Sequence, residues 1–337
     1  MVQLVESAFQ IETELPEKQA FGIETDDDFI KLHTLMILNG KRGGGKTTAL
    51  VNFLRECRDR NYYDKIWVVT PTYHSNKEIW SICGLTEKDC REPAVTVLHE
   101  ILKEMEDEKA LWDDHCEQCL IYEKFKTDEE KQVEDIDAHV LVNYHERGLF
   151  NNLAPTRPKW KYPEEQPPRF AVVLDDCLNS PIMARPTAGL VNLAIRHRHV
   201  CGGLGTSLFF LVQSYSAQGG VPRPIRENTT HLLLFRIADV NQLKKIKVES
   251  DLCITNNEFA DLLGICHAEP FQFLMIDFAP KLPDRQFRKG WNTYLIVDSL
   301  AGLKEGEVPQ ANLSEIRDEE EEKPTKTSTS LMIRRPN

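Results

Sequence analysis

The feature that most constrains this chain is a glycine-rich loop placed between an apolar run and a helical pattern. Residues 40–47 read Gly-Lys-Arg-Gly-Gly-Gly-Lys-Thr, which is the G-x4-G-K-[ST] pattern of a phosphate-binding loop. The apolar run before it predicts a strand, and the segment after it predicts a helix. That helix has one apolar face, made by Leu50, Val51, Phe53, Leu54 and Cys57. The predicted strand and helix are the elements that flank a phosphate-binding loop. A chance glycine-rich surface turn does not explain their presence on both sides.

The loop predicts a binding site for ATP and Mg²⁺. Glycines let successive backbone N–H groups approach phosphates without Cβ clashes, and the following helix directs its positive end at them. We expect Lys46 to reach the β- and γ-phosphates and the Thr47 hydroxyl to be a ligand of Mg²⁺. The residues expected to contact the nucleotide are Gly40, Lys41, Arg42, Gly43, Gly44, Gly45, Lys46, Thr47 and Thr48.

A second diagnostic stretch is residues 169–176, where an apolar strand runs into two carboxylates. The ends of strands in an α/β sheet carry groups that contact ligands. We expect Asp175 to hold Mg²⁺ through its water shell and Asp176 to orient or deprotonate the attacking water. The alternative for paired aspartates at a strand end is a turn or a helix cap.

A third stretch, residues 206–214, is a buried strand that ends in Gln213. In a doubly wound sheet this strand would lie between the phosphate-loop strand and the Asp175 strand, which would bring the Gln213 amide near the γ-phosphate. Further strands are predicted at residues 65–70, 94–98, 231–236, 270–277 and 292–297.

These patterns predict an α/β protein with a doubly wound, mostly parallel central sheet and helices on both faces. The 337 residues suit one large domain with extensions, or at most two domains. The predicted organisation is an acidic arm (1–30), a P-loop domain (31–303) with a helical insertion at about 99–168, and a disordered tail (304–337).

The cysteine content indicates reduced thiols in a soluble, intracellular protein. The nine cysteines are odd in number and irregularly spaced, and no signal-peptide pattern or membrane-length apolar run is visible. Cys116 and Cys119 have the C-x2-C spacing of a zinc knuckle, but no second close pair supplies the other ligands. The favoured interpretation is two cysteines on an amphipathic helix.

The net charge of −12 is unevenly distributed. Residues 1–30 carry −7, residues 101–150 carry −9 and residues 304–337 carry −2, which leaves +6 on the rest of the chain. A mildly basic body permits contact with nucleic acid but does not demonstrate it.

The order of these stretches resembles the FtsK/HerA superfamily of ring-forming P-loop ATPases, which are RecA-like. Within it the chain is most similar to the genome-packaging ATPases of large DNA viruses (poxvirus type), virophages and polinton-like elements. The resemblance spans about residues 31–300 and rests on residues 40–47, 65–72, 172–176, 196–199 ahead of 211–214, and 222–228.

The resemblance implies a homo-oligomeric ring with ATP at subunit interfaces and double-stranded DNA in the pore. It also implies a capsid or portal-like partner and a location in the host cytoplasm, the viral factory or the virion. Arg198 best matches the family's arginine that acts on the neighbour's ATP, with Arg196 and Arg226 as competitors. Each of these arginines can instead form a surface salt bridge or lie at the end of a helix. The family's common Asp-Glu pair is Asp175-Asp176 here.

Two other functions remain open from the sequence. A P-loop helicase or repair ATPase would act on single strands, but the interleaved aromatic and basic residues typical of that activity are not seen. A non-motor nucleotide-dependent switch is kept open by the long acidic insertion and the tail. ATPase activity with and without double-stranded DNA distinguishes these classes.

Overall fold

The computed structural model describes residues 29–129, 131–152, 154–177, 180–184, 189–216 and 220–303. The chain divides into two compact units, residues 1–32 and residues 33–337. Only residues 29–32 of the first unit are described, so nearly all of the predicted arm and the whole predicted tail lie outside the described residues. The described strands and helices all belong to the second unit.

Nine strands and ten α-helices are the main elements of the described part of the second unit. The strands are β1 Leu35–Asn39, β2 Lys65–Val69, β3 Cys90–Arg91, β4 Phe170–Asp175, β5 Ser207–Val212, β6 His231–Phe235, β7 Phe273–Asp277, β8 Phe287–Lys289 and β9 Thr293–Leu295. The helices are α1 Lys46–Asp59, α2 Tyr73–Ser81, α3 Val97–Asp128, α4 Ala138–Glu146, α5 Pro181–Ala184, α6 Leu190–Arg196, α7 Val200–Gly203, α8 Arg223–Glu227, α9 Val240–Glu249 and α10 Asn256–His267.

The strands form one sheet in the order β3-β2-β4-β5-β1-β6-β7-β8-β9. The six strands from β3 to β6 are parallel, and β7, β8 and β9 continue the sheet as antiparallel neighbours. The mostly parallel sheet predicted from the sequence is therefore confirmed. The predicted position of β5 between β1 and β4 is also confirmed, so the carboxyl ends of these three strands are adjacent.

Both faces of the parallel strands are covered, which is why these strands are apolar throughout rather than alternating. On one face, Phe209 of β5 lies with its ring 5.9 Å from that of Phe53 on α1. The opposite face carries Phe210, which belongs to the large buried cluster that includes Ile101 of α3 and Leu193 of α6. The apolar face predicted for the helix after the loop is confirmed, since all five of its residues are buried.

The strand predicted at residues 94–98 is wrong. Residues 94–96 are irregular and α3 begins at Val97, while the short edge strand β3 lies earlier, at Cys90–Arg91. The apolar residues Val97, Leu98 and Ile101 recur at the three- to four-residue spacing of a helix and are all buried. A five-residue window resembled a strand because it was too short to separate the two periods.

The far end of the sheet was only partly predicted. β7 begins at Phe273 rather than at residue 270, and β9 occupies three of the six residues predicted at 292–297. β8 was not predicted, because a three-residue strand with a lysine and an arginine carries almost no periodic signal.

The insertion is built on α3, a single helix of 32 residues and about 48 Å. Near its beginning, Glu104 accepts hydrogen bonds from Lys65 and from Trp67 Nε1, which fastens the helix to β2. Further along, Met105 still belongs to the buried cluster and Glu108 lies 3.7 Å from Lys65 of β2, whereas the later residues Glu123 and Asp128 contact the insertion. The helical prediction for 99–168 holds for α3 and α4, whereas the described residues of 152–168 are not helical.

Candidate functional site

The phosphate-binding loop joins β1 to α1 as predicted. Gly40 lies so close to β6 that a Cβ there would come within 2.5 Å of Phe235 Cβ, so only glycine fits. Gly43 and Gly45 have φ values of 73° and 94°, the left-handed region that glycine adopts without strain. Gly45 is the N-cap of α1, and the helix begins at Lys46. The first-turn N–H groups of an α-helix have no partner within the helix, so those of α1 can bind an anion.

Lys46 lies within the curve of its own loop. Its Nζ donates hydrogen bonds to the carbonyl oxygens of Gly40 and Lys41, at 2.7 and 3.0 Å. Burial lowers the pKa of Lys46, and the charges of Asp175 and Asp176 oppose this shift. The ammonium group therefore sits between the loop and the two aspartates, where it can neutralise phosphate charge.

Asp175 ends β4 and is 5% exposed. Burial and the neighbouring Asp176 raise the pKa of Asp175 to about 6, and Lys46 acts against this shift. Its carboxylate accepts no hydrogen bond from any residue that the structure describes. A buried carboxylate without a donor fits a site for Mg²⁺, a cation that prefers oxygen ligands.

Asp176 is the first residue after β4 and points to solvent. Its φ of 52° is in the left-handed region, which aspartate and asparagine tolerate better than most residues. Gln213, the residue after β5, donates a hydrogen bond of 2.8 Å from Nε2 to Asp176 Oδ1. The two predicted residues are thus in direct contact, which the sequence did not indicate.

A cavity of about 920 Å³ opens beside the loop. One wall is the loop and the start of α1, from Gly43 to Asn52, and the other wall comes from the chain around β7 and β8, including Phe271 and Trp291. Phe271 is 70% exposed and lies against the loop, since a Cβ on Gly45 would come within 3.3 Å of Phe271 Cβ. Sequence reasoning missed this wall, because nothing in residues 270–292 marks a ligand site.

Arg198 lies away from the phosphate loop of its own chain. Its neighbour His197 is buried and has ring nitrogens 2.7 Å from the carbonyl oxygen of Ala194 and 2.9 Å from that of His33. Because His33 precedes β1, this contact holds the segment at the amino edge of the sheet, opposite the loop. Arg198 is exposed, and within the described ranges it makes no hydrogen bond or ion pair.

The competing arginines have different surroundings. Arg226 is 10% exposed and forms a bidentate pair with Glu249, at 2.8 and 3.0 Å, and its guanidinium faces the ring of Tyr215. Arg196 is exposed and lines a cavity of about 460 Å³ between α3 and the α6–α7 segment. The guanidinium group of Arg226 is therefore already bound by residues of its own chain.

The strand order, the loop and the carboxylates together define a RecA-like P-loop NTPase fold. The loop strand β1, the Gln213 strand β5 and the aspartate strand β4 are neighbours in a parallel sheet, and their polar ends meet at one edge. Among the described residues, no helix has the length and apolar character needed to cross a membrane.

Solved structures similar to this chain include EssC and the genome-packaging NTPase B204. EssC (ATPases 2 and 3) from Geobacillus thermodenitrificans is 15% identical with a TM-score of 0.41, and the match covers 86% of this chain and 43% of EssC. The genome-packaging NTPase B204 of Sulfolobus turreted icosahedral virus 2, bound to ATP-γS, is 9% identical with a TM-score of 0.40, over 80% of this chain and 100% of B204. This chain thus spans less than half of the EssC chain.

No model of a known protein family matches the sequence. No curated protein matches it either.

Proposed function

We propose that this protein hydrolyses ATP to move double-stranded DNA, and that it packages a viral genome into a capsid. The observation that supports hydrolysis is the meeting of Lys46, Asp175, Asp176 and Gln213 at the adjacent ends of β1, β4 and β5. The support for DNA as the cargo is the sequence resemblance to packaging ATPases and the +6 charge outside the acidic segments.

In this proposal each residue has a separate task. Lys46 leaves its two loop carbonyls and binds the β- and γ-phosphates. Thr47 and Asp175 would hold Mg²⁺, which when bound neutralises charge on the phosphates. Asp176 orients the attacking water and takes up its proton. Gln213 is hydrogen-bonded to the Asp176 carboxylate. It senses the γ-phosphate, and through this hydrogen bond the presence of the γ-phosphate affects the position of Asp176.

Phe271 and the wall around Trp291 would receive the base of the nucleotide. An exposed aromatic ring beside a phosphate loop offers a face on which adenine can stack. Trp291 is fixed by its own packing, with its ring stacked 4.9 Å from that of Phe53. Phe271 is therefore the adaptable contact and Trp291 the rigid one.

Arg198 would complete the site of a neighbouring subunit. It is exposed, it lies at the edge of the sheet opposite its own loop, and it makes no ion pair with the described residues that would have to be broken. An arginine supplied by a neighbour stabilises charge on the transferring phosphoryl group and contributes about 10³–10⁵ to the rate. Turnover would then depend on assembly into a ring.

We assign the ATPase to residues 31–303, flanked by the acidic arm 1–30 and the tail 304–337. The test is ATP turnover of the full chain with and without double-stranded DNA, together with the mass of the assembled oligomer. We expect an oligomer whose turnover is stimulated by double-stranded DNA, while the variant Lys46→Ala is inactive. Stimulation by single strands alone would favour the helicase, and an unstimulated monomer would favour the nucleotide switch.

A further inference from the structure

Three side chains in the insertion converge although they are far apart in the sequence. His115 and Cys119 are one turn apart on α3, and Glu165 lies in the irregular segment that leads to β4. Cys119 Sγ is 3.6 Å from His115 Nε2 and 3.7 Å from Glu165 Oε1. The third edge of the triangle, from His115 Nε2 to Glu165 Oε1, is 3.1 Å.

This triangle has the size of one face of a zinc tetrahedron. Typical bonds of zinc are about 2.0–2.2 Å to nitrogen and oxygen and about 2.3 Å to sulfur. At tetrahedral angles these lengths place the nitrogen and oxygen about 3.4 Å apart, and place each of them about 3.6 Å from the sulfur. The three measured edges are each within about 0.3 Å of these values, without movement of the backbone.

The surroundings of the three groups also suit a bound cation. Trp160 and Trp112 lie against the imidazole, with ring centroids 5.1 and 5.6 Å from that of His115, so the ring is held in place. Arg157 Nη1 contacts the second oxygen, Glu165 Oε2, at 2.5 Å, which leaves Oε1 for a metal and fixes the carboxylate. His115 is buried, whereas the Glu165 side chain is 39% exposed, so an ion can enter from solvent on that side.

We propose that His115 Nε2, Cys119 Sγ and Glu165 Oε1 bind one Zn²⁺, with water as the fourth ligand. The thiol releases its proton to solvent on binding, and the thiolate and carboxylate together balance the charge of the ion. Thiolate and imidazole are ligands of zinc and not of Mg²⁺, so this site is chemically distinct from the nucleotide site. The site does not depend on the proposed ATPase function.

The consequence is a cross-link within the insertion. His115 and Cys119 belong to α3, while Glu165 belongs to the segment from residue 152 to β4, which contains no helix or strand in the described residues. Zinc would fasten this segment to the long helix. A structural metal contributes its binding free energy to the stability of the fold that forms the site.

The test is zinc binding by the full chain, reduced, stripped with a chelator and kept in excess Mg²⁺, with bound metal measured by mass spectrometry. We expect one tightly bound zinc per chain. Cys119→Ser and Glu165→Gln should each weaken binding by more than the ~10–100-fold typical of losing an outer-shell partner. The matched controls are Cys116→Ser and Glu164→Gln, which alter neighbouring residues outside the trio and should bind as the parent does.

Two further measurements keep the test decisive if a variant folds poorly. Co²⁺ in place of zinc should give the thiolate-to-cobalt absorption of a tetrahedral site in the parent and in Cys116→Ser, but not in Cys119→Ser. Zinc should also slow tryptic cleavage after Lys159 and Lys161 in the parent. Absence of stoichiometric zinc, or equal loss of binding in both cysteine variants, would overturn the three-ligand site.

Discussion

Gln213 Nε2 donates a 2.8 Å hydrogen bond to Asp176 Oδ1 and so joins the ends of β5 and β4. The two residues are 37 positions apart in the sequence, and each is the first residue after its strand. The contact connects the residue that we propose handles the water to the residue that we propose senses the γ-phosphate. A change at either one should therefore affect the other.

The first prediction concerns Asp176→Asn. The amide has the shape of the carboxylate and tolerates the left-handed backbone at this position, but it cannot accept a proton. We expect ATP binding within about twofold of the parent and turnover lower by about 10²–10⁴, the usual contribution of general base catalysis. Nucleotide titration and single-turnover kinetics measure the two effects, with Asp59→Asn as a control on the exposed end of α1. Undiminished turnover would remove Asp176 from the mechanism.

The second prediction concerns Arg198. Because an arginine from a neighbour acts on the leaving phosphoryl group, Arg198→Ala should lower kcat by about 10³ or more with little change in nucleotide affinity. A mixture of Arg198→Ala and Lys46→Ala subunits should regain part of the activity, because some interfaces combine an intact loop with an intact arginine. The control is Arg223→Ala, an exposed arginine paired with Glu227 on its own helix.

If the mixture remains inactive while both variants still form rings, the role proposed for Arg198 must belong to another arginine. Arg196 is the better alternative, because Arg226 would first have to break its pair with Glu249.

The third prediction concerns Phe271. If its ring stacks on the nucleotide base, Phe271→Ala should raise the dissociation constant for ATP about tenfold, since stacking on an aromatic side chain is worth about 1–3 kcal/mol per base. Turnover at saturating ATP should change little. Phe271→Tyr should restore affinity, and Phe150→Ala, which removes a partly exposed ring from the insertion, is the control. Equal affinity of the parent and Phe271→Ala would exclude the ring from the base site.

The fourth prediction concerns DNA. Binding through phosphates releases counterions, so a protein with six to ten phosphate contacts loses about 10³–10⁵ in affinity between 50 and 200 mM salt. We expect a steep salt dependence and little dependence on base sequence, because no base-reading element is evident among the residues that the structure describes. Fluorescence anisotropy with two duplexes of unrelated sequence measures both. Salt-insensitive or strongly sequence-selective binding would contradict the proposed cargo.

The fifth prediction concerns the stability of the segment that carries Arg198. Burial lowers the pKa of His197 below 6.5, although the carbonyls of Ala194 and His33 act in the opposite direction. Below pH 6.5 the unfolded chain then takes up a proton that the folded chain resists. The free energy of unfolding should therefore fall as the pH drops from 6.5 towards the lower pKa of the folded state, by up to about 1.4 kcal/mol per pH unit.

The measurement for His197 is urea unfolding at pH 7.5 and 5.5 in the parent and in His197→Gln. We expect His197→Gln to be less stable than the parent at pH 7.5, because glutamine can replace only part of the contacts that His197 makes with the carbonyls of Ala194 and His33. We also expect this variant to lose less stability on acidification. His74→Gln is the control, because His74 lies on the exposed surface of α2. Equal pH dependence in the parent and His197→Gln would show that His197 does not resist protonation.

The sequence by itself determined the nucleotide loop, its helix and the principal parallel strands. The reason is that these features are local: glycines at fixed spacing, apolar runs of five or six residues and an apolar face at helical period each leave their mark within a short window. The same reasoning failed at residues 94–98, because five residues are too few to distinguish the period of a strand from that of a helix. It also failed at β8, because three residues are too few to show any hydrophobic period.

Only the tertiary structure decided which distant residues meet. Three contacts join residues that are 37 or more positions apart in the sequence. They are the hydrogen bond from Gln213 to Asp176, the approach of Phe271 to Gly45, and the approach of Glu165 to His115 and Cys119. Such contacts depend on strand order and on the path of the insertion back to the sheet, which no local pattern encodes. The sequence favoured an amphipathic helix for Cys116 and Cys119, because no further zinc ligands were close along the chain, whereas in the fold Cys119 lies beside a carboxylate 46 residues away.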